Sequence, residues 1–416
     1  MVIFDSASSS HLESKREEYE RFGVEFRLGT ERVGEMEAFE YAVLSPGIDS
    51  RSVLVRSFLE RECELVGELE FAFKRCVCPV VAITGTNGKT TTTQLVDAMF
   101  NGAGVASVAC GNIGPAFSRE VHRSRDLDVM TVEVSSFQLE TIRSFRPRIA
   151  VWLNFTPDHL DRYDSMEEYF EAKARIFENL AAEDWAVLNG RDELPKVSSR
   201  VLRFSAFERG FDFEWVDGAI WFRGQEVLPM SQTQLRGLHN AENLMAALGV
   251  GVAWGLRWEQ MIPALCGYCA LPHRCEVVTS VGGVEFVNDS KATNLDAMEK
   301  ALSSEVRRVV LIAGGKDKGF DFGAVMGLVA ERCRAAVLIG EMAPRIEDLW
   351  GSALPCYRAL DLESAVVQAA KLARPGDVVL FSPGTSSFDM FKNYADRGNQ
   401  FRSAVQKFST HTLQPS

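Results

Sequence analysis

Pro79-Val-Val-Ala-Ile83, followed by Thr84-Gly85-Thr86-Asn87-Gly88-Lys89-Thr90-Thr91, is an apolar run that enters a glycine-bearing turn and opens a helix. In that geometry, backbone N–H groups and the positive end of the helix hold phosphate oxygens. Lys89 would neutralise β- and γ-phosphate charge, and the Thr90 hydroxyl would hold Mg²⁺, as Ser or Thr does in P-loop enzymes. The general P-loop pattern also asks for a glycine six residues before the lysine. Ile83 stands there, so the turn by itself leaves an ordinary Gly-rich connection as an alternative.

Outward from this turn, strands predicted over Val129 to Val134 and Ile149 to Leu153, each followed by loop and helix signals, give a doubly wound α/β pattern. Phe213-Glu-Trp-Val216 and Ala219-Ile-Trp-Phe222 around Asp217-Gly218 read as a hairpin with a two-residue turn, ahead of a helix from about Asn240 to Trp254. After a hinge at Leu271-Pro-His-Arg274, strands Arg308 to Ile312, Ala335 to Ile339 and Val378 to Phe381 alternate with helices Phe322 to Arg332 and Leu362 to Leu372. Before the turn, short apolar runs at Val2 to Phe4, Val24 to Phe26 and Tyr41 to Leu44, with the amphipathic Leu12 to Phe22, suggest a small parallel-sheet unit. The expected division is therefore 1–72, 73–270 and 271–416.

A chain of 416 residues, 46% hydrophobic, can build several cores. A formal charge of −12, spread along the chain, excludes a nucleic-acid scaffold with a basic face. No apolar run reaches membrane-span length and Met1 to Ser10 lacks a signal pattern, so a soluble, unexported protein without a membrane partner is expected. The nine cysteines are irregularly spaced, as reduced thiols are. Cys266, Cys269, His273 and Cys275 are of zinc-ligand type but lack paired-knuckle spacing.

Glu133, near the end of its strand and followed by Ser135-Ser-Phe-Gln138, and Asp158-His159-Leu-Asp-Arg162, past the next strand, project to one rim where a hard metal could be held. Ser165-Met-Glu-Glu168 reads as a capping box that starts a helix carrying Tyr169 and Lys173 on one face. By residue type alone Lys173 is a solvated helix lysine. Asn240 and Asn243 could present two amides to a ring or ribose, although helix capping explains Asn240 equally well. Asn288 to Asn294, Gly314 to Lys318 and Ser382 to Phe388 are three polar loops at three strand ends, the description of a small anionic-ligand pocket.

Thr84 to Thr90, Glu133 to Gln138, Asp158-His159, Leu271 to Arg274 and Asn288 to Asn294, in this order, together resemble the Mur ligase family. Lys291-Ala-Thr-Asn294 and Ser382 to Gly398 look like the branch of that family that takes D-glutamate. The resemblance implies a Rossmann-like N-terminal domain for UDP, a central P-loop-type ATPase α/β domain and a C-terminal Rossmann-like domain that brings the amino acid. It implies a cytoplasmic, monomeric enzyme of peptidoglycan precursor synthesis that uses ATP and two Mg²⁺ to join D-glutamate to UDP-N-acetylmuramoyl-L-alanine through an acyl phosphate.

By the same resemblance, Gly85 to Thr91, Asn240, Asn243, Arg274 and Asp289 are ATP contacts. Thr90, Glu133, His159 and Lys173, the last as a carbamate, are the metal side, and Lys89, His159 and Lys173 are catalytic. Asn112, Ser136 and Gln138 would face the acceptor, with Asp5 and Ser45-Pro46-Gly47 on its uridine side. Thr293, Lys318, Ser387, Phe388 and Tyr394 would hold D-glutamate. The family opens with a strand and a Gly-rich uridine-binding turn ahead of the strand matched by Val2 to Asp5, so a reading frame that starts farther upstream is expected. The rival readings are a sister ligase with another amino acid or with folate, and a non-catalytic nucleotide-binding homologue.

Overall fold

The computed structural model describes residues 1–6, 16, 18–34, 39–158, 162–194, 196–268 and 272–413, with the side chains of 304 and 411–413 excepted. Its largest element is a nine-stranded sheet. Val80–Thr84 lies inside it, flanked by Val129–Glu133 with Ser107–Gly111 beyond on one side, and by Ile149–Trp152, Trp185–Asn189 and Arg200–Ser205 on the other. All of these pairings are parallel. Every residue of Val80–Thr84 is buried, which is why its apolar run is continuous rather than alternating.

Phe213–Val216, Ala219–Phe222 and Gln225–Pro229 extend this sheet as an antiparallel edge. The expected hairpin turn is present. Asp217 and Gly218 both have positive φ, 46° and 86°, as a two-residue primed turn requires. Helix Leu238–Trp254 packs on helix Lys89–Gly102, burying Leu244 and Leu248 with Leu95, Met99 and Phe100 in one core.

A second, six-stranded sheet runs Glu276–Val281, Val284–Asn288, Val378–Phe381, Val309–Gly314, Cys333–Ile339, Cys356–Arg358. It is parallel apart from its first hairpin. The helix expected over Phe322 to Arg332 is shorter, Met326–Arg332. The Asp321 carboxylate accepts from Gly323 N at 2.9 Å, and the Phe322 carbonyl accepts from Trp350 Nε1 at 2.8 Å, so local side-chain bonding replaces the first helical turn.

Among the described amino-terminal residues, the expected parallel unit is two separate pairs, Val2–Asp5 with Glu25–Leu28 and Tyr41–Leu44 with Glu64–Gly67. Aromatic packing joins them: Phe4 lies edge-on to Phe39 at 5.6 Å and to Phe58 of helix Val53–Leu59 at 5.3 Å. No helix of the described residues is long and apolar enough to cross a membrane.

Helix Glu68–Phe73 docks this region on the nine-stranded sheet through one buried carboxylate. Glu70 accepts from the backbone N–H groups of Arg143, Ser144 and Phe145, each at 3.0 Å, and from the Ser144 hydroxyl. Burial pushes its pKa up, but these donors push it further down, and the net position is below the usual glutamate value. Glu70→Gln should therefore lower stability by about 1–3 kcal/mol at pH 7, since one amide hydrogen would face a ring of donors. The contribution of ionised Glu70 is complete above the unfolded value of 4.5 and is lost as pH falls through the lower native one. Urea midpoints of the parent and variant should thus converge on acidification.

Candidate active site

The parallel strands of the large sheet end at one rim, where Ile83 pairs with Glu133 and Thr84 with Trp152. Asn154, just past Trp152, shapes the turn that follows Thr84. Its side chain accepts from Asn87 N at 2.9 Å and donates to the Asn87 carbonyl at 3.0 Å, while its own carbonyl accepts from Thr86 N at 2.9 Å. Gly88, with φ +85°, caps helix Lys89–Gly102, and a Cβ there would stand 2.3 Å from Asn243 Oδ1.

A cleft of about 330 Å³ lies between this turn and the second sheet. From the large sheet it is lined by Thr86 to Thr91, Asn112, Glu133, Asp158, Asn240 and Asn243; from the second sheet come Arg274, Asp289, Lys291, Thr293 and Lys300. Lys89 Nζ folds back onto the Gly85 and Thr86 carbonyls, at 2.8 Å each. Burial lowers its pKa, Glu133 and Asp158 partly offset this, and Arg274 and Lys300 add to the lowering. Glu133 is buried; one carboxylate oxygen accepts from Asn112 Nδ2 at 2.8 Å, and the other has no partner among the described residues.

Lys173 departs furthest from its residue-type reading. Far from solvated, it is 1% exposed, with Nζ donating to the Gly85 carbonyl at 3.1 Å and lying 4.9 Å from the Tyr169 ring centroid. Burial, then the charge of Lys89, drives its pKa well below the usual lysine value, and Asp158 only partly opposes them. The helix start also differs from expectation: Ser165 accepts from Glu168 N, but the Glu168 carboxylate accepts from Asp164 N at 2.8 Å, so only half of the capping box forms. Asn240 is not a cap either. Gly237 is the N-cap, and Asn240 Nδ2 donates to the Arg236 carbonyl at 2.8 Å while its Oδ1 accepts from Asn243 Nδ2 at 3.2 Å.

Across the cleft, the buried Asp289 accepts from Cys275 N at 3.2 Å and from the Ser382 hydroxyl at 2.8 Å; burial pushes its pKa up to about 6. Arg397, fully buried and given no role by the sequence reading, donates to Ser290 Oγ at 3.0 Å, to the Ser290 carbonyl at 2.7 Å and to the Thr385 carbonyl at 3.1 Å. It thereby pins the Asn288 to Asn294 loop to the Ser382 to Phe388 loop. Burial and the neighbouring Arg274 bring the pKa of Lys291, also missed, to about 8. Its place inside the Asn288 to Asn294 loop was the available signal.

Several expected site residues stand apart from the cleft lining. Gln138 Oε1 accepts from Ser135 N at 2.9 Å in a complete capping box, and Ser136 is buried beside Tyr163. Asp5 ends strand Val2–Asp5, and the Ser45 carbonyl accepts from Ile48 N in the turn that holds Pro46 and Gly47. Of the residues expected to hold D-glutamate, Thr293 lines the cleft. Ser387 is buried, Phe388 is 67% exposed, Lys318 Nζ lies 5.0 Å over the Phe320 ring, and the Tyr394 ring lies 3.9 Å beneath Lys291 Nζ. His159, Leu160, Asp161, Cys269 and Leu271 lie outside the described residues. His273, of the residues weighed for zinc, has its Nδ1 at 2.9 Å from Asn288 Nδ2.

Residues 83–251 match the family model described as the Mur ligase middle domain, and residues 273–384 that of the Mur ligase glutamate ligase domain. The chain is 41% identical, over 99% of its length and 92% of the relative's, to a UDP-N-acetylmuramoylalanine--D-glutamate ligase of Geobacter metallireducens. Its fold is similar to that of a pseudomurein peptide ligase type C from Methanothermus fervidus, with a TM-score of 0.64 at 16% identity over 98% of this chain and 94% of that one. It is also similar to MurF ligase from Thermotoga maritima in complex with ADP, with a TM-score of 0.59 at 17% identity over 91% and 99% of the two chains.

Gly88→Ala combines a strained positive φ with displacement of the Asn243 amide. A positive φ costs a non-glycine residue about 1–2 kcal/mol. Because the strain falls on the turn, binding of a fluorescent ATP analogue should weaken by about tenfold or more, the equivalent of ~1.4 kcal/mol, while the melting temperature moves by only a few degrees.

Proposed function

The chain belongs to the Mur ligase family, and from that premise we propose that it joins D-glutamate to UDP-N-acetylmuramoyl-L-alanine at the expense of ATP, in cytoplasmic peptidoglycan precursor synthesis. The observation that carries this reading is the cleft itself. A phosphate-type turn with Lys89 and Thr90 faces Arg274, Asp289 and Thr293 across a space of about 330 Å³, in a chain 41% identical over nearly its whole length to a ligase of that name. The enzyme acts as a monomer.

In this reading the turn holds the ATP phosphates, and Asn240 and Asn243 meet the adenine. Arg274 and Asp289 meet the phosphates and ribose. Asn112, Ser136 and Gln138 serve the acceptor, with Asp5 and Ser45 to Gly47 toward its uridine end; Thr293, Lys318, Ser387, Phe388 and Tyr394 serve D-glutamate. The L-alanyl carboxylate attacks the γ-phosphorus and ADP leaves. The D-glutamate amine then adds to the acyl phosphate, loses its proton, and expels phosphate as the amide forms. Lys89 offsets charge as the phosphoryl group transfers. The two faces of the cleft bring amine and acyl phosphate together and keep water from the acyl phosphate.

The donor set fits Mg²⁺. Glu133 presents a buried carboxylate oxygen without a partner among the described residues, and Thr90 lines the same cleft; His159 is the further family position. Bound there, Mg²⁺ neutralises phosphate charge. Lys173 also fits carbamylation. Its amine is held toward the neutral form by burial and by Lys89, and the neutral amine is the form that takes up carbon dioxide. The carbamate would replace a cation beside Lys89 with hard oxygen donors.

Phosphate release with UDP-N-acetylmuramoyl-L-alanine, ATP and a panel of D- and L-amino acids tests the substrate assignment. D-glutamate should stand out by about a hundredfold or more, as expected of a site built from buried polar contacts. Equal rates across the panel would sink the assignment.

Lys173→Ala should fold, since alanine suits a helix, and lose most ligase activity. Acetate or formate should partly restore it by occupying the carboxylate position, and chloride at equal ionic strength should not. Full activity of the alanine variant, or equal rescue by chloride, would return Lys173 to a structural role.

A further inference from the structure

Helix Leu295–Ser304 reaches the phosphate turn and its neighbour Asp158 through side chains. Its cap, Asn294, accepts from Ala297 N at 2.9 Å and donates to Asp158 at 3.3 Å. In its first turn, one Asp296 oxygen accepts both from the Asn87 side chain and from Lys300 Nζ, the latter at 3.0 Å. Asn87 belongs to the turn that would hold phosphate; Asp296 and Lys300 belong to the opposite wall. An i,i+4 acid–lysine pair on a solvated helix face would need no further account. This one is largely withdrawn from solvent, with side chains 18% and 27% exposed, and Lys300 lines the cleft together with Lys89, Arg274 and Lys291.

Those cations crowd one another. Lys89, Arg274, Lys291 and Lys300 are four cationic side chains lining one cleft of about 330 Å³. Of the carboxylates on the same walls, Asp289 is bonded by Cys275 N and Ser382, Asp158 by Asn294, and Asp296 by Asn87 and Lys300, while Glu133 keeps one oxygen without a partner among the described residues. Like charges gathered in a part-buried space are costly unless an anion is shared among them, and a polyphosphate chain is an anion long enough to reach several at once.

We propose that Lys300 is a further contact for the terminal phosphates of the nucleotide, carried to them on helix Leu295–Ser304, and that Asp296 holds it against Asn87 until the phosphates arrive. This deepens the nucleotide reading above and rests on it. Asp296 is thus a positioning residue, and its charge competes with the ligand for Lys300.

Calorimetric titration of the full chain with AMP, ADP and a non-hydrolysable ATP analogue separates this role from a structural ion pair. Lys300→Ala should weaken the triphosphate by about fivefold or more, ADP by less and AMP by under about twofold, the gradient expected of a charge-assisted contact at the far end of the chain. Lys300→Arg should restore binding. Asp296→Asn should leave triphosphate affinity unchanged or tighter, because it removes the competing charge. If Lys300→Ala does not fold, Lys300→Gln, which keeps the stem, takes its place. Equal losses for the three ligands, or equal weakening in the Lys300 and Asp296 variants, would overturn the proposal. A parent chain that binds none of the three would overturn the nucleotide reading and this inference with it, a result distinguishable from failure of the Lys300 variants alone.

Discussion

The amide of Asn154 clamps both the N–H and the carbonyl of Asn87, and the geometry of the cleft depends on that clamp. A turn that leaves a parallel strand and enters a helix has unpaired backbone groups at the helix end, and it keeps one shape only if neighbours supply the missing bonds. Asn154 supplies them from the adjacent strand's extension, and Asn243 closes the other side so tightly that Gly88 has no room for a Cβ. Thr86 completes the frame through Thr156 and Tyr169, at 3.1 Å and 3.3 Å. The amides at the helix start are thus fixed before any ligand arrives, which reduces the ordering cost of holding phosphate.

The second wall obeys a related constraint. Three loops leave three neighbouring strands, and loops at strand ends are free to splay unless something crosses between them. Arg397 does this with a buried guanidinium whose hydrogen bonds reach two of the loops. Burying that charge costs solvation, and its pKa is lowered to about 10 chiefly by desolvation. The cost is offset by a fixed relation between Ser290, on the loop that carries Thr293, and Thr385, beside Ser387. The wall is held where backbone meets arginine, and Phe388, farther along the same loop, stays exposed.

Elements whose shape is set locally were legible in the sequence. Asp217-Gly218 demands a primed turn, Val378 to Phe381 and Leu362 to Leu372 have unmixed periodicity, and the glycine-bearing turn sits between a strand and a helix as its composition requires. Features set by contacts between distant segments were not. Lys173 has the local signature of a surface lysine and is buried because its helix lies against the phosphate turn, 88 residues earlier in the chain. Asn240 resembles a cap until Gly237 takes that position, and Glu168 turns one oxygen to Asp164 N and the other toward Arg51, 3.5 Å away. The resemblance to a known family is what singled out Lys173; neither spacing nor residue type carried its burial.

The contact between Thr92 and Asn243 spans 151 residues, and this separation has a consequence for how the protein is made. Chains leave the ribosome at about 5–20 residues per second, so roughly eight to thirty seconds pass between synthesis of the turn and of the helix that completes its walls. Until that helix is made, Asn243 cannot close on Gly88, and the Val81 and Ile83 side of strand Val80–Thr84 lacks the part of its cover that Leu244 and Leu248 supply. The face of that strand that packs with Leu244 and Leu248 is therefore completed only once helix Leu238–Trp254 has been made.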